Sequence, residues 1–317
     1  MKKIISLNLS LVLLLLCGCN KSQENKETRF LLDTVVTLTA SCNDDILDGA
    51  FLLCEEYEKL FSRTVSGSDV YNLNHSDAFV AVSPHTKAVV ERAIYYGDLS
   101  GGKFDITIYP VSSLWDFNNN IIPSRDEIAE ALKNVDYQSI EIEGDSISLH
   151  GKKIDLGGIA KGYIADRLLE YFKQNKTPEG IIDLGGNLVV FGDKYYTVGI
   201  KQPFSNTLAA TVKVKNKTVV TSGTYERYIS TNGKNYHHIL DTDTGYSCES
   251  DICSATIIAN SSFDADALST VCILLGLEKA AKLIEDTPET EGIFIDNNGE
   301  THYTSGLSLK NNAFTLK

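Results

Sequence analysis

GIIDLGGNLVVFGDKYYTVGIKQPFSNTLAATVKVKNKTVVTSGTYERYISTNGKNYHHILDTDTGYSCESDICSATIIA, residues Gly180 to Ala259, is a procession of short β-branched runs separated by Gly, Asn and Asp turns. Such runs read as strands, and their close succession leaves no room for crossover helices between them. Outward from this stretch the spacing turns helical. From Asp44 to Phe61, Ile46, Leu47, Ala50, Leu53, Cys54, Tyr57, Leu60 and Phe61 fall on one face. Ser83-Pro84 offers an N-cap with proline in the first turn for a helix to about Leu99, and Ser124 with Glu127 reads as a capping box for a short helix through Lys133. Further helices are expected over Ala160 to Gln174, Phe263 to Leu275 and Leu277 to Glu285. Phe30 to Ala40 reads as an opening strand, Ile140 to Asp155 as two or three short strands turning at Gly144-Asp145, and the tail as a final pair of strands. Because strands cluster instead of alternating with helices, the expected class is α+β and not a doubly wound parallel sheet.

Lys2 and Lys3 precede an apolar stretch, Ile4 to Leu16, that is shorter than the about 20 residues a bilayer span needs but suits an export signal. It ends in Leu16-Cys17-Gly18-Cys19, which resembles a bacterial lipoprotein signal with Cys19 as the acylated residue. The expected organisation is a signal over 1–18, a lipidated polar tether over 19–28 and one body over 29–317, anchored to a membrane outside the cytoplasm. With 43% hydrophobic residues, the chain can fill one large core. A formal charge of −13 argues against a nucleic-acid partner, since phosphate contacts need clustered Lys and Arg. A phosphate-bearing ligand would need a metal ion or a local positive pocket. Cys42, Cys54, Cys248, Cys253 and Cys272 are odd in number and lack paired CxxC spacing, so they are expected as small buried residues, not as a disulfide framework or zinc site.

Asp264-Ala-Asp266-Ala-Leu-Ser-Thr270 opens an expected helix. Four residues turn a helix by about 400°, so the Asp266 carboxylate and Thr270 hydroxyl share a face, a pair that a hard cation such as Mg²⁺ accepts. The same two residues could equally cap the helix. Asp155-Leu-Gly157-Gly158-Ile-Ala-Lys161-Gly162 reads as strand, glycine turn and helix start, where backbone amides and Lys161 favour an anion, although Walker A spacing is absent. Asp183 to Asn187 and Thr221 to Tyr228 place small residues between strands and could be turn chemistry alone. His237-His238, before Asp241 and Gly245, sets an imidazole at a strand end, suited to take a proton from a hydroxyl near neutral pH. In Gly102-Lys103-Phe104-Asp105-Ile-Thr107, exposed Asp105 and Thr107 would meet a ligand's polar groups while Phe104 covers an aromatic ring; the plain alternative is a strand.

Taken in order from about Leu31 to Gly276, these segments resemble the ApbE family of FAD:protein FMN transferases. The resemblance implies a single large α+β domain related to the T-fold. It implies FAD contacts at Leu32, Thr64, Lys103, Phe104, Asp105, Asp155, Lys161 and Leu240, Mg²⁺ held by the Gly158 carbonyl, Asp266 and Thr270, and His238 as general base. The implied reaction moves FMN from FAD to a threonine or serine of an acceptor flavoprotein, with AMP leaving, and the implied acceptor is a membrane redox-pump subunit. Two alternatives share the site: a Mg²⁺-dependent FAD pyrophosphatase yielding FMN and AMP, and a non-catalytic FAD-binding lipoprotein. Three positions depart from the family pattern. Leu32-Asp33-Thr34 stands where Met-Gly-Thr is usual, Thr64 replaces an aromatic residue, and Thr242 replaces a proline after His238.

Overall fold

The first two strands form a hairpin, β1 (Glu24–Leu31) pairing antiparallel with β2 (Thr34–Ser41) across Leu32-Asp33. Both turn residues hold positive φ, 56° and 54°, the type I′ geometry that matches strand twist and ordinarily selects Asn-Gly. In this computed structural model, which describes residues 24–317, the expected single strand from Phe30 is therefore two strands. Glu24 to Thr28, expected as part of a tether, belong to β1. Their polar character fits a sheet edge, where side chains face solvent on both sides and charge discourages pairing with other chains. The expected signal and the anchor Cys19 lie outside the described residues.

There follow α1 (Asp44–Phe61), α2 (Asp69–Asn74), β3 (Val80–Ala81) and α3 (Pro84–Leu99). A 3₁₀ turn at Ile106–Ile108 leads into α4 (Tyr109–Ser112), then α5 (Arg125–Leu132), β4 (Glu141–Glu143), β5 (Ser146–Ser148) and α6 (Ala160–Gln174). The strand-rich stretch supplies β6 (Gly180–Asp183), β7 (Asn187–Phe191), β8 (Tyr196–Lys201), β9 (Leu208–Val214) and β10 (Lys217–Gly223). It continues through β11 (Tyr228–Thr231), β12 (Lys234–His237) and β13 (Ile252–Ala259). After α7 (Ser262–Leu275) and α8 (Leu277–Glu285) come four strands where a pair was expected, β14 (Glu291–Asp296), β15 (Thr301–Tyr303), β16 (Leu307–Lys310) and β17 (Ala313–Leu316).

Eight strands form one antiparallel sheet in the order β1-β2-β6-β7-β10-β13-β14-β15, and β16-β17-β9-β8 form a second. The α+β class holds: every neighbour in the large sheet is antiparallel. Successive strand residues point to opposite faces, and here both faces are covered at the centre. Leu38, Val189, Val220 and Ile257 face the helices, while Val190, Val219 and Ile258 meet Val212, Leu307 and Phe314 of the second sheet. Accordingly β13 is buried at all eight residues. A third cluster of Val111, Trp115, Ile128, Ile229 and Leu240 supports the β11–β12 hairpin.

Side chains place the helix starts: Ser83 accepts the Thr86 amide, Ser124 and Glu127 form the expected capping box, and Ser261 accepts the Asp264 amide. The crossing of α6 and α7 matters most for function. A Cβ on Gly162 would lie 2.2 Å from Ser262 O and 2.6 Å from the Asp266 Cβ, so the two helices touch backbone to backbone there. All five described cysteines are free and buried, as expected.

Candidate functional site

The α6–α7 crossing brings Asp266 to the first turn of α6. Asp266 is 6% exposed, and its Oδ2 accepts the Gly162 amide at 2.8 Å. That amide lies in the first turn of α6, ahead of the first helix bond from Tyr163 N to Ile159 O, and so has no partner within the helix. Asp266 supplies one, and no backbone amide of the described residues donates to Gly158 O. Thr270 Oγ1 lies 3.2 Å from Ser222 Oγ, which is 2.7 Å from Ser269 Oγ. A buried carboxylate, a free carbonyl and adjacent hydroxyls make a hard-oxygen set that fits Mg²⁺. Burial pushes the Asp266 carboxyl upward, against the pull of the Lys161 ammonium, the Gly162 amide and the Asn187 side chain. A divalent cation would relieve that penalty by favouring the ionised form. Asn187 Nδ2 is buried here without a hydrogen-bond partner.

Glu226 Oε1 lies 3.8 Å from where a Gly186 Cβ would be, next to Asn187, and the charge of Lys161, in the first turn of α6, lowers Asp266, Glu226 and His238 alike, so the field of one cation reaches this space. The His238 amide donates to Arg227 O at 3.1 Å, and Nδ1 is 3.4 Å from the same carbonyl. With its proton on Nδ1, the ring presents a free Nε2 lone pair. Burial holds the His238 imidazolium down to about 4, the nearby Arg227, His237 and Lys161 adding to the effect, so the ring is neutral at pH 7. Burial likewise raises Glu226, opposed by Lys161, Arg227 and Lys201. Solvent nevertheless reaches both side chains, the combination a concave site produces. His237 is buried, with Nε2 3.2 Å from Cys248 O, and faces away from this space.

The remaining expected residues are each held by local contacts. Leu32, whose amide donates to Glu58 Oε1 at 2.8 Å, and Asp33, whose carbonyl accepts from Arg227 at 3.5 Å, bring the β1–β2 turn alongside. Asp33 occupies its positive φ in place of the family's glycine. Gly185 (φ 70°) packs so closely that a Cβ would lie 2.0 Å from Thr34 Oγ1. Asp155 accepts the Gly157 amide at 2.8 Å and pairs with Arg63, which fixes the glycine turn against the loop carrying exposed Thr64. Lys103 pairs with Asp241 (2.8 Å) and Asp243 (2.7 Å). Burial opposes its charge, but the two carboxylates outweigh that and raise it. Thr242, the departure from proline, donates to Gly102 O at 2.9 Å, a bond proline could not make, and Leu240 is buried in the supporting cluster.

Two expectations need correction. Asp105 and Thr107 are buried, not exposed: Asp105 Oδ1 accepts the Thr107 amide and hydroxyl, each at 2.6 Å, and Oδ2 accepts the Tyr137 amide at 3.1 Å. The segment is neither a strand nor a polar rim, because the Asp105 side chain captures local amides and winds it into the 3₁₀ turn. Phe104 is also buried and lies under the glycine turn, 3.4 Å from where a Gly158 Cβ would be, so its ring braces that turn. Arg63, Asn187, Ser222 and Glu226 were missed as site residues. Asn187, Ser222 and Glu226 sit in segments readable as turns, and only the placement of α7 reveals their role; Arg63 belongs to no pattern. Among the described residues a second acidic and histidine trio, Asp296, Glu300 and His302, lies at the β14–β15 turn, where Asp296 Oδ1 accepts the Asn298 and Glu300 amides, both at 2.9 Å.

The model of the ApbE family matches residues 32–294. A FAD:protein FMN transferase of Treponema pallidum is 31% identical over 288 residues, 82% of this chain and 80% of its own. One from Klebsiella pneumoniae is 31% identical over 291 residues, 88% of this chain and 92% of its own. The crystal structure of an ApbE protein from Thermotoga maritima superposes with a TM-score of 0.82 at 31% identity, over 89% of this chain and 97% of that one.

Proposed function

Since this chain belongs to the ApbE family, we propose that it is a FAD:protein FMN transferase, dependent on Mg²⁺, that esterifies FMN to a threonine or serine hydroxyl of an acceptor flavoprotein and releases AMP. The observation that carries the reading is the meeting of a buried Asp266, its Gly162 partner and the neutral His238 around Lys161. Asp266, Thr270 and Gly158 O would hold the cation, which when bound neutralises charge on the FAD pyrophosphate. Lys161 and the α6 N-terminus receive the phosphates. His238 Nε2 takes the proton of the acceptor hydroxyl. The hydroxyl oxygen then forms a bond to the FMN-side phosphorus, and the bond from that phosphorus to the bridging oxygen breaks, the electron pair leaving with AMP. Arg227 O, holding Nδ1–H, keeps the imidazole in the tautomer this step needs.

Asp266→Ala should abolish Mg²⁺-dependent flavinylation, read by gel fluorescence of the acceptor after incubation with FAD. Full transfer by that variant removes the metal assignment. The same incubation without acceptor separates the pyrophosphatase alternative, which would release AMP at an equal rate. The binding-only alternative would release no AMP even with acceptor present. We further propose an extracytoplasmic, membrane-anchored location through acylated Cys19, and a membrane redox-pump subunit as acceptor. Globomycin-sensitive processing in cells, or its absence, tests the anchor.

A further inference from the structure

A cavity of ≈ 230 Å³ opens beside the site, lined by Lys201, Phe204, Ser205, Asn206, Tyr225 and Tyr228. None of the residues that the family resemblance assigns to FAD lines it. Phe204 and Tyr228 are 55% and 40% exposed and meet edge to face at 5.4 Å, while Phe204 meets the Tyr225 ring at 6.0 Å. Phe204 holds a φ of 53°, a left-handed conformation unfavourable for a bulky residue. Lys201 Nζ lies over the Tyr225 ring at 5.5 Å. Its charge acts on Glu226 without an ion pair between them, so a cation on a chain of net charge −13 faces this cavity.

The cavity borders the transfer chemistry through one short segment. Tyr225 and Tyr228, which line it, flank Glu226 and Arg227, and Arg227 O accepts the His238 amide at 3.1 Å and lies 3.4 Å from His238 Nδ1. The volume admits one or two side chains, which selects a loop tip and not a flat protein face. Exposed aromatic rings around a single charge are the composition of interface hot spots.

Resting on the transferase reading, we infer that this cavity receives the flavinylated loop of the acceptor: an apolar or aromatic side chain enters between Phe204 and Tyr228, and an acidic side chain beside it pairs with Lys201. Together they set the acceptor hydroxyl against His238. The occupant is the acceptor protein, not FAD.

The test is steady-state flavinylation with FAD and Mg²⁺, using as probe a soluble flavin-acceptor domain of a membrane redox pump at varied concentration. The variants are Phe204→Gly, whose backbone suits positive φ, and Lys201→Glu, with Tyr195→Ser as control. Tyr195 is 64% exposed and precedes β8, at the opposite end of that strand from Lys201. The expected result is an acceptor KM about tenfold or more higher in both cavity variants. Their kcat at saturating acceptor and their Kd for FAD should stay within about twofold of the parent, and the control should match the parent. An unchanged acceptor KM in active variants overturns the inference and leaves the transferase reading standing. A Kd for FAD that weakens in step assigns the cavity to FAD and overturns it too. If the parent protein binds FAD yet transfers nothing to the probe, both fall.

Discussion

His237 and His238 are neighbours in the chain with opposite fates. Alternation along the strand buries His237 against Cys248 O and turns His238 to the concave site. Both are held near 4 by burial first, below the ordinary histidine value. A histidine whose folded value is depressed stabilises the fold fully above the unfolded value and loses that contribution as pH falls from about 6.5 towards 4. His237→Gln should remove its share of this dependence and leave that of His238. Between pH 7.5 and 4.5, urea unfolding of the parent should lose on the order of 2 kcal/mol more than the variant loses, and equal losses would show that His237 titrates normally. For catalysis, a neutral His238 places the acidic limb of kcat nearer pH 4 than 6.5, provided chemistry limits the rate; a limb centred at 6.5 would remove His238 as the base. The pairing of Asp266 with Thr270 was legible because helical geometry alone puts them on one face. The fates of Asp105 and Phe104 were not, since the same residues read equally as a ligand rim until Tyr137, 32 residues further along the chain, supplies a buried amide to Asp105.

The site depends on elements meeting where only glycine permits it. Gly162→Ala would drive a methyl into Ser262 O and the Asp266 side chain. We expect it to cost about 2 kcal/mol or more, lowering Tm by several degrees, and to reduce Mg²⁺-dependent transfer even in the folded fraction. A variant with unaltered Tm and activity would mean that the helices can part without consequence. The Lys103–Asp241–Asp243 cluster joins the α3–α4 connection to the loop after His238. Lys103→Met should leave the partly buried Asp241 uncompensated, lowering kcat more than Tm, measured with Kd for FAD as a check on binding. Helices were legible from two signals: α3 and α5 fall where Ser and Pro caps put them, and α1 and α8 where side-chain periodicity does. The opening hairpin was not legible. Leu-Asp is a poor I′ turn by composition, and it is the Glu58 carboxylate bonding Leu32 N, together with the packing of Gly185 on Thr34, that holds it.

At the scale of the whole molecule, helices and a small sheet sandwich the large sheet, and the site lies where α6, α7 and the β11–β12 hairpin converge at its helical face. The edge strand β1 is the exposed margin of that sheet. A chain beginning at Arg29 would remove Glu24 to Thr28 and leave part of β2 unpaired, so it should show a lower Tm and concentration-dependent association by size-exclusion chromatography; a monomer of unchanged Tm would make β1 dispensable. Among the described residues no helix is long and apolar enough to cross a membrane, so attachment would fall to the acyl chain proposed at Cys19. Because β1 already begins at Glu24, only Asn20, Lys21, Ser22 and Gln23 separate that residue from the rigid body. At about 3.5 Å per extended residue the leash is shorter than roughly 20 Å. An enzyme proposed to hang on so short a lead would not roam: it would patrol a thin layer over the lipid headgroups, and its clients would drift to it in the plane of the bilayer.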